Sequence, residues 1–285
     1  MGVIRNQIRK FYLSLRAFVE TYKYGGFKTA NISYLSEGNI LTDKHVIVTG
    51  GASGIGYAIA HKMLNQGAVV LICGRNEKKL EEAKKTLNSN KLFTMVWDIT
   101  NVDLYEEYLK EARRILGDKV DILVNNAGIA PTEFFPNVGQ EEWDKIYNTN
   151  SRGTFFMCQL FYNYWKKECN KHVRKIINIS SQGAYVGATY PYRMTKWDIA
   201  GLTQGLGLRM SKDNIIVNGI APGVIKTAMQ ENTLKQGDNI FNKSNSLQRY
   251  AFPDEIGELS VYLASDLSNF IVGQTIVIDG GYSLK

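Results

Sequence analysis

From Lys44 onward, short apolar runs alternate with longer segments whose apolar residues recur every three or four positions. His45–Thr49, Ala68–Cys73, Leu92–Trp97, Ile122–Val124, Lys175–Ile179, Ile215–Ile220 and Thr275–Asp279 read as strands. Ile55–Asn65 and Glu77–Leu87 read as amphipathic helices. Helices of about 12 to 20 residues are expected between the later strands. Strands apolar throughout, rather than alternating, suit a parallel sheet covered on both faces. With right-handed crossovers, this α/β repeat predicts a doubly wound parallel sheet, Rossmann-like and single-domain, over residues 44–285.

Residues 1–43 follow a different pattern. Ile4, Ile8, Phe11, Tyr12, Leu15, Phe18 and Val19 recur at helical spacing, with Arg5, Arg9, Lys10 and Arg16 among them and no acid before Glu20. A basic amphipathic helix is expected, broken by Gly25-Gly26 and followed by a polar linker to about Asp43. Three fates fit such a segment: docking on its own domain or a neighbouring subunit, lying on an anionic membrane surface, or remaining a disordered tail. No run of about 18 apolar residues is present, so no membrane-spanning helix is expected. The N-terminus lacks a secretory apolar run, and Asn6 breaks the myristoylation pattern.

Composition narrows the function classes only a little. Hydrophobic residues make up 44% and charged residues 21%, enough for a core without disulfides or metals. The net charge of +7 is dispersed and not interleaved with aromatics, which reads as a solvated surface rather than a nucleic-acid site. Cys73, Cys158 and Cys169 are odd in number and widely spaced, so neither a disulfide framework nor a metal site is expected, and a reducing, cytoplasmic compartment is.

Two segments carry chemistry. The first strand runs into Gly50-Gly51-Ala52-Ser53-Gly54-Ile55-Gly56 and then a helix. Glycines there let the backbone approach a pyrophosphate, and the helix N-terminus offers free N–H groups to it. At the end of the second strand, where an NAD-selecting fold carries an acid for the ribose, stands Gly74, followed by Arg75. A guanidinium beside an uncharged gap suits a 2′-phosphate, so NADP(H) is the expected cofactor. Further on, Tyr192 and Lys196 are spaced i, i+4 and share a helix face. An ammonium at ~4 Å, with an effective dielectric of ~20, is worth roughly 4 kcal/mol. That would carry a phenol from about 10 toward about 7, where it works as an acid–base group.

These residues, with Asn125-Asn126-Ala127-Gly128 and Asp279-Gly280-Gly281, resemble the short-chain dehydrogenase/reductase family over about Lys44–Lys285. The resemblance implies cofactor contacts from Gly50, Ser53, Gly54, Ile55, Gly56 and Arg75 at the phosphate and ribose end. It implies contacts from Asp98 and Ile99 at the adenine, and from Asn126, Ala127 and Gly128 along the sheet. Pro222, Gly223, Ile225, Thr227, Tyr192 and Lys196 would hold the nicotinamide end. It further implies a catalytic set of Asn150, Ser181, Tyr192 and Lys196, with Asn148 and Ser180 as the competing assignments. Hydride transfer between the nicotinamide and a small-molecule carbonyl or alcohol is the implied reaction. Tyr192 would be the proton donor, Ser181 would orient the oxygen, and water along Asn150 and Lys196 would restore the proton. Two other readings stand: an enoyl-thioester reductase of the same fold, whose Tyr and Lys are usually farther apart, and a catalytically idle NADP-sensing scaffold, against which the complete set argues. The resemblance also implies that Met229–Arg249 covers the active site, and its polar residues point to a polar, sugar-like or acidic substrate. It implies a homodimer or homotetramer, for which the glycines Gly201, Gly205 and Gly207 would allow close packing.

Overall fold

Seven parallel strands form one sheet in the order β3-β2-β1-β4-β5-β6-β7. They are β1 His45–Thr49, β2 Val69–Gly74, β3 Leu92–Val96, β4 Ile122–Asn125, β5 Arg174–Ile179, β6 Ile215–Pro222 and β7 Thr275–Ile278. The structure is a computed structural model, and it describes residues 2–23, 25–26, 28–30, 36–168, 172–226 and 240–284. All the expected strands are present, the first with the expected bounds and the others with ends displaced by at most two residues. The sixth runs on to Pro222 because its register with β7 continues through Pro222 and Ile278.

The apolar strands are buried on both faces, as a doubly wound sheet requires. Val46 and Val48 of β1 and Val70 and Ile72 of β2 pack into one cluster. That cluster also holds residues of α2 Gly54–Asn65, α3 Glu77–Leu87 and α8 Pro253–Ala264. The alternate residues, Ile47 and Leu71, point to the other cluster. There they meet α4 Tyr105–Ile115, α6 Thr154–Lys167 and α7 Pro191–Met210. Phe161 and Trp97 are its largest fully buried side chains. The helices are more varied in length than expected: α5 Gln140–Tyr147 has 8 residues and α7 has 20.

The glycines of α7 divide in role. A Cβ on Gly201 or Gly205 would meet open space, but one on Gly207 would lie 2.4 Å from Gly273 Cα. Gly207 is therefore needed for a close approach inside the chain, and the expectation that it serves subunit packing is corrected.

Helix α1, Gly2–Lys23, precedes the sheet. Docking on its own domain is not what the structure places there, since Phe11, Phe18 and Tyr22 are exposed by 71%, 68% and 81%. The chain rejoins the core ahead of the expected boundary at Lys44. Gln66 Nε2 donates to Ser36 O at 2.8 Å, and Leu41 is fully buried in the first cluster. Among the described residues, no helix is long and apolar enough to cross a membrane.

Candidate active site

The strand order reverses direction between β1 and β4, so the connections from these neighbours leave toward opposite faces and open a crevice at their C-terminal ends. A polar bracket holds its two lips together. The Thr49 hydroxyl accepts from the backbone N–H of Asn126 and of Ala127, both at 3.0 Å, and donates to Val124 O at 3.3 Å. Asn126 Nδ2 returns the contact, donating to Thr49 O at 2.9 Å and Gly50 O at 3.1 Å. One strand further, Asn125 Nδ2 donates to Asn178 Oδ1 at 2.9 Å, which ties β4 to β5.

The glycine turn follows directly. Gly50 and Gly54 have φ of 65° and 56°, the left-handed region in which a side chain is strained. A Cβ on Gly56 would lie 2.3 Å from Gly50 O and 2.4 Å from Asn126 Nδ2. Ser53 stands at the N-cap of α2 without a side-chain cap, so the first N–H groups of the helix face the crevice uncovered by that hydroxyl. The crevice encloses a cavity of about 430 Å³. A turn bare of Cβ atoms at Gly50, Gly51 and Gly54, followed by a helix N-terminus, fits an extended anionic cofactor.

Tyr192 and Lys196 come from the first turns of α7 and line this cavity together with Ser181. Lys196 is buried, and its ammonium donates to Ile179 O at 2.9 Å. Its Nζ lies 5.6 Å from the centre of the Tyr192 ring. Burial pushes the Lys196 ammonium down to about 8. Burial likewise pushes the Tyr192 phenol up from its ordinary value, helped by Tyr190 and opposed by the hydrogen bond with Ser181. The expectation that Lys196 draws Tyr192 toward neutral pH is corrected. Desolvation dominates both groups, and the ammonium is directed at a backbone carbonyl.

The two competing serines have different surroundings. Ser180 is buried and its hydroxyl donates to Lys196 O at 2.7 Å, which fixes the backbone of α7. Both serines border the cavity; Ser181 is half-buried there, accepting from Gly183 N–H at 3.1 Å. The two asparagines also differ. Asn148 is exposed, whereas Asn150 is buried inside a π-helical turn, Asn148–Gly153, between α5 and α6. Asn150 Oδ1 accepts from Ile129 N–H at 2.9 Å, and its Nδ2 donates to Ile129 O at 3.1 Å and Thr195 Oγ1 at 3.3 Å. Asn150 thus holds the loop after β4 against the helix of Tyr192 and Lys196. The widened turn presents its side chain inward, a common use of such a bulge.

Comparisons with known proteins identify the family. A family model described as enoyl-(acyl carrier protein) reductase matches residues 50–283. Dehydrogenase/reductase SDR family member 4 of Caenorhabditis elegans is 36% identical over 85% of this chain and 96% of its own length. The chain is a short-chain dehydrogenase/reductase. A 3-oxoacyl-[acyl-carrier-protein] reductase of Thermotoga maritima is 31% identical over 85% of this short-chain dehydrogenase/reductase and 98% of itself. The structure solved as the Pseudomonas aeruginosa RhlG/NADP active-site complex superposes with a TM-score of 0.78. It is 26% identical, covering 85% of this chain and 97% of that one.

The cavity of this short-chain dehydrogenase/reductase brings together Gly50, Ser53, Gly54, Ile55, Gly56, Asn126, Ala127, Gly128, Ser181, Tyr192, Lys196, Pro222, Gly223 and Ile225. Arg75 stands exposed just past β2 and outside the cavity wall. Asp98 is also outside the wall and accepts from the Thr100 N–H and hydroxyl at 2.9 and 2.8 Å. Ile99 is buried against Gly153 and likewise is not in the wall. Thr227 lies outside the described residues, as does the first part of the expected covering segment, residues 229–239. The described remainder packs on the C-terminal end, with Leu247 N–H donating to Gly280 O at 3.2 Å.

The wall also contains Ile129, Ala130, Ile179, Gln182 and Val224, which sequence reasoning did not single out. Gln182 follows the serine pair in sequence, and that adjacency was the signal available. Its Oε1 is buried without a hydrogen-bond partner among the described residues. Phe134 and Tyr190 pack edge to face at 5.0 Å, and Tyr190 is two residues before Tyr192, so aromatic surface adjoins the Tyr192 end of the cleft.

The Thr49 bracket is testable. Thr49→Val removes the acceptor for two backbone N–H groups and should cost about 1–3 kcal/mol, read as a lower urea midpoint. Thr49→Ser should restore most of it. Equal midpoints for wild type and Thr49→Val would show that the hydroxyl does not bear on the sheet.

Proposed function

We propose that this short-chain dehydrogenase/reductase is an NADP(H)-dependent carbonyl reductase and alcohol dehydrogenase, with Asn150, Ser181, Tyr192 and Lys196 as its reaction machinery. The observation that carries the reading is the single cavity wall shared by Ser181, Tyr192, Lys196 and the glycine turn. Bound nicotinamide would supply or accept the hydride at its C4 position. Gly50, Ser53, Gly54, Ile55 and Gly56 would receive the pyrophosphate, with Asn126, Ala127, Gly128, Pro222, Gly223 and Ile225 along the rest of the cofactor. Asp98 and Ile99 would meet the adenine and Thr227 the nicotinamide end, as the family resemblance implies. The metal-free chemistry needs only protein hydroxyls and an ammonium.

In the direction of carbonyl reduction, Tyr192 must hold a proton. Burial raises its phenol, so the proton is present across the neutral range. Ser181 donates a hydrogen bond to the substrate oxygen and stabilises the charge that develops there. Lys196, held by Ile179 O, keeps a positive charge beside the phenol while protonated. Asn150 fixes the Ile129 loop that forms the opposite wall. Dimers or tetramers built on the α7 face suit the bare Gly201 and Gly205 and Leu208, exposed by 75%.

A second reading is reduction of an enoyl thioester, favoured by the description of the matching family model. The three residues between Tyr192 and Lys196 speak for the carbonyl. Following NADPH absorbance with a panel of ketones, 3-oxoacyl thioesters and enoyl thioesters separates the two. Turnover of the enoyl compounds alone would discard the carbonyl reading, and turnover of none would discard both.

Tyr192→Phe should lower reduction by roughly 10²–10⁴-fold, the usual contribution of a positioned acid. NADPH binding, followed by fluorescence, should change little. Full activity in this variant would remove Tyr192 as proton donor.

The pH profile carries a definite sign. Lys196 is charged below about 8 and neutral above it. Carbonyl reduction should therefore hold below that pH and fall as pH rises through it. Lys196→Met should be slow at every pH and lack that limb. A limb that persists in Lys196→Met belongs to another group.

Arg75→Asp should shift cofactor preference from NADPH toward NADH by tenfold or more, since a bidentate charge-assisted contact is lost and a like charge faces the 2′-phosphate. Unchanged selectivity in kcat/KM would place Arg75 outside the ribose site.

A further inference from the structure

Helix α1 carries an apolar stripe that the described parts of the domain leave in solvent. Ile8 is 63% exposed, Phe11 71%, Tyr12 68%, Leu15 49%, Phe18 68%, Val19 55% and Tyr22 81%. At about 100° of rotation per residue, all of them fall within one stripe roughly 120° wide. Lys10 and Arg16 fall on opposite flanks of that stripe. The sequence of the helix also carries Arg5, Arg9 and Lys23, with Glu20 as its one acid. The matched family region begins at residue 50, well after this helix, so the reaction assigned to the fold gives the stripe no task.

We propose that α1 is a docking helix for an anionic phospholipid surface, lying in the plane of the bilayer interface. Charge complementarity selects this occupant. An apolar stripe rich in Phe and Tyr between basic flanks is the pattern that sinks its rings to the headgroup boundary and leaves its cations among lipid phosphates. A second copy of the helix is a poorer fit. Stripe-to-stripe packing would bring basic flanks together with one acid per helix to offset them. The helix is too polar to span the bilayer. Its chain leads back to the domain at Lys28, whose carbonyl accepts from Ile240 N–H at 3.2 Å. Ile240 O in turn accepts from Tyr250 N–H, and the next residue, Ala251, donates to Val224 O in the cavity wall. The anchor is therefore tethered on the side of the sheet where the cleft opens.

The test is sedimentation of the full chain with vesicles of phosphatidylcholine alone and of phosphatidylcholine mixed with phosphatidylserine. The wild-type chain should sediment with the mixed vesicles, not with phosphatidylcholine alone, and lose binding as salt rises. Phe11→Glu with Phe18→Glu should abolish sedimentation. Lys10→Glu with Arg16→Glu should weaken it by tenfold or more, since each basic residue near such a surface contributes roughly fivefold. Both variants change exposed positions and should keep the wild-type melting temperature. No sedimentation of wild type with mixed vesicles, or equal sedimentation with both kinds, overturns the proposal. So does a fall in the oligomeric mass of the Phe variant without vesicles, which would assign the stripe to a neighbouring copy.

Discussion

The hydroxyl of Thr49 closes a bracket between two neighbouring strands where the sheet changes direction, and the whole cleft is arranged around it. It satisfies the backbone N–H groups of Asn126 and Ala127, and Asn126 in turn caps the carbonyls of Thr49 and Gly50. These are groups that helix and sheet ladders leave unpaired where two parallel strands part. Because they are tied to each other, the glycine turn is held at fixed distance from the loop after β4. The absent Cβ of Gly56 is a direct consequence, since a side chain there would collide with both partners of the bracket. From the same loop, Ile129 reaches Asn150, and Asn150 reaches Thr195, one residue before Lys196. Through the backbone of the loop after β4, these hydrogen bonds link the glycine turn to the helix of Tyr192 and Lys196.

Electrostatics in the cleft are governed by burial before pairing. Two groups spaced to help one another, Tyr192 and Lys196, are both displaced toward their neutral forms. The ammonium finds a partner in Ile179 O, a dipole, which compensates it less than a full negative charge would. The phenol keeps its proton for the same reason. Low polarity thus favours the donor form of Tyr192, the form a carbonyl reduction consumes.

Much of the architecture was legible from the chain because both its period and its punctuation are strong. Continuous apolar runs such as Val46–Val48 and Val70–Ile72, alternating with amphipathic helices, suit a parallel sheet covered on both faces, and Gly54 and Gly56 mark the turn after the first of them. Strand ends were less legible, because Pro222 continues pairing only through its neighbour β7. Gly207 misled for a related reason: its role depends on Gly273, far along the chain. The choice between Ser180 and Ser181 was open in sequence; in space both border the cavity, but the Ser180 hydroxyl is committed to the backbone of Lys196 whereas that of Ser181 meets Tyr192.

What the sequence determined by itself was local: which segments are strands, where glycine replaces a side chain, and which residues share a helix face at i, i+4. These follow from backbone sterics and from burial periodicity, which act over a few residues. Tertiary structure decided what depends on distance between separate segments. It set the Lys196 ammonium on the Ile179 carbonyl and left the apolar stripe of α1 exposed. Desolvation and long-range hydrogen bonding set those outcomes, and both are properties of the packed molecule that no short stretch of chain contains.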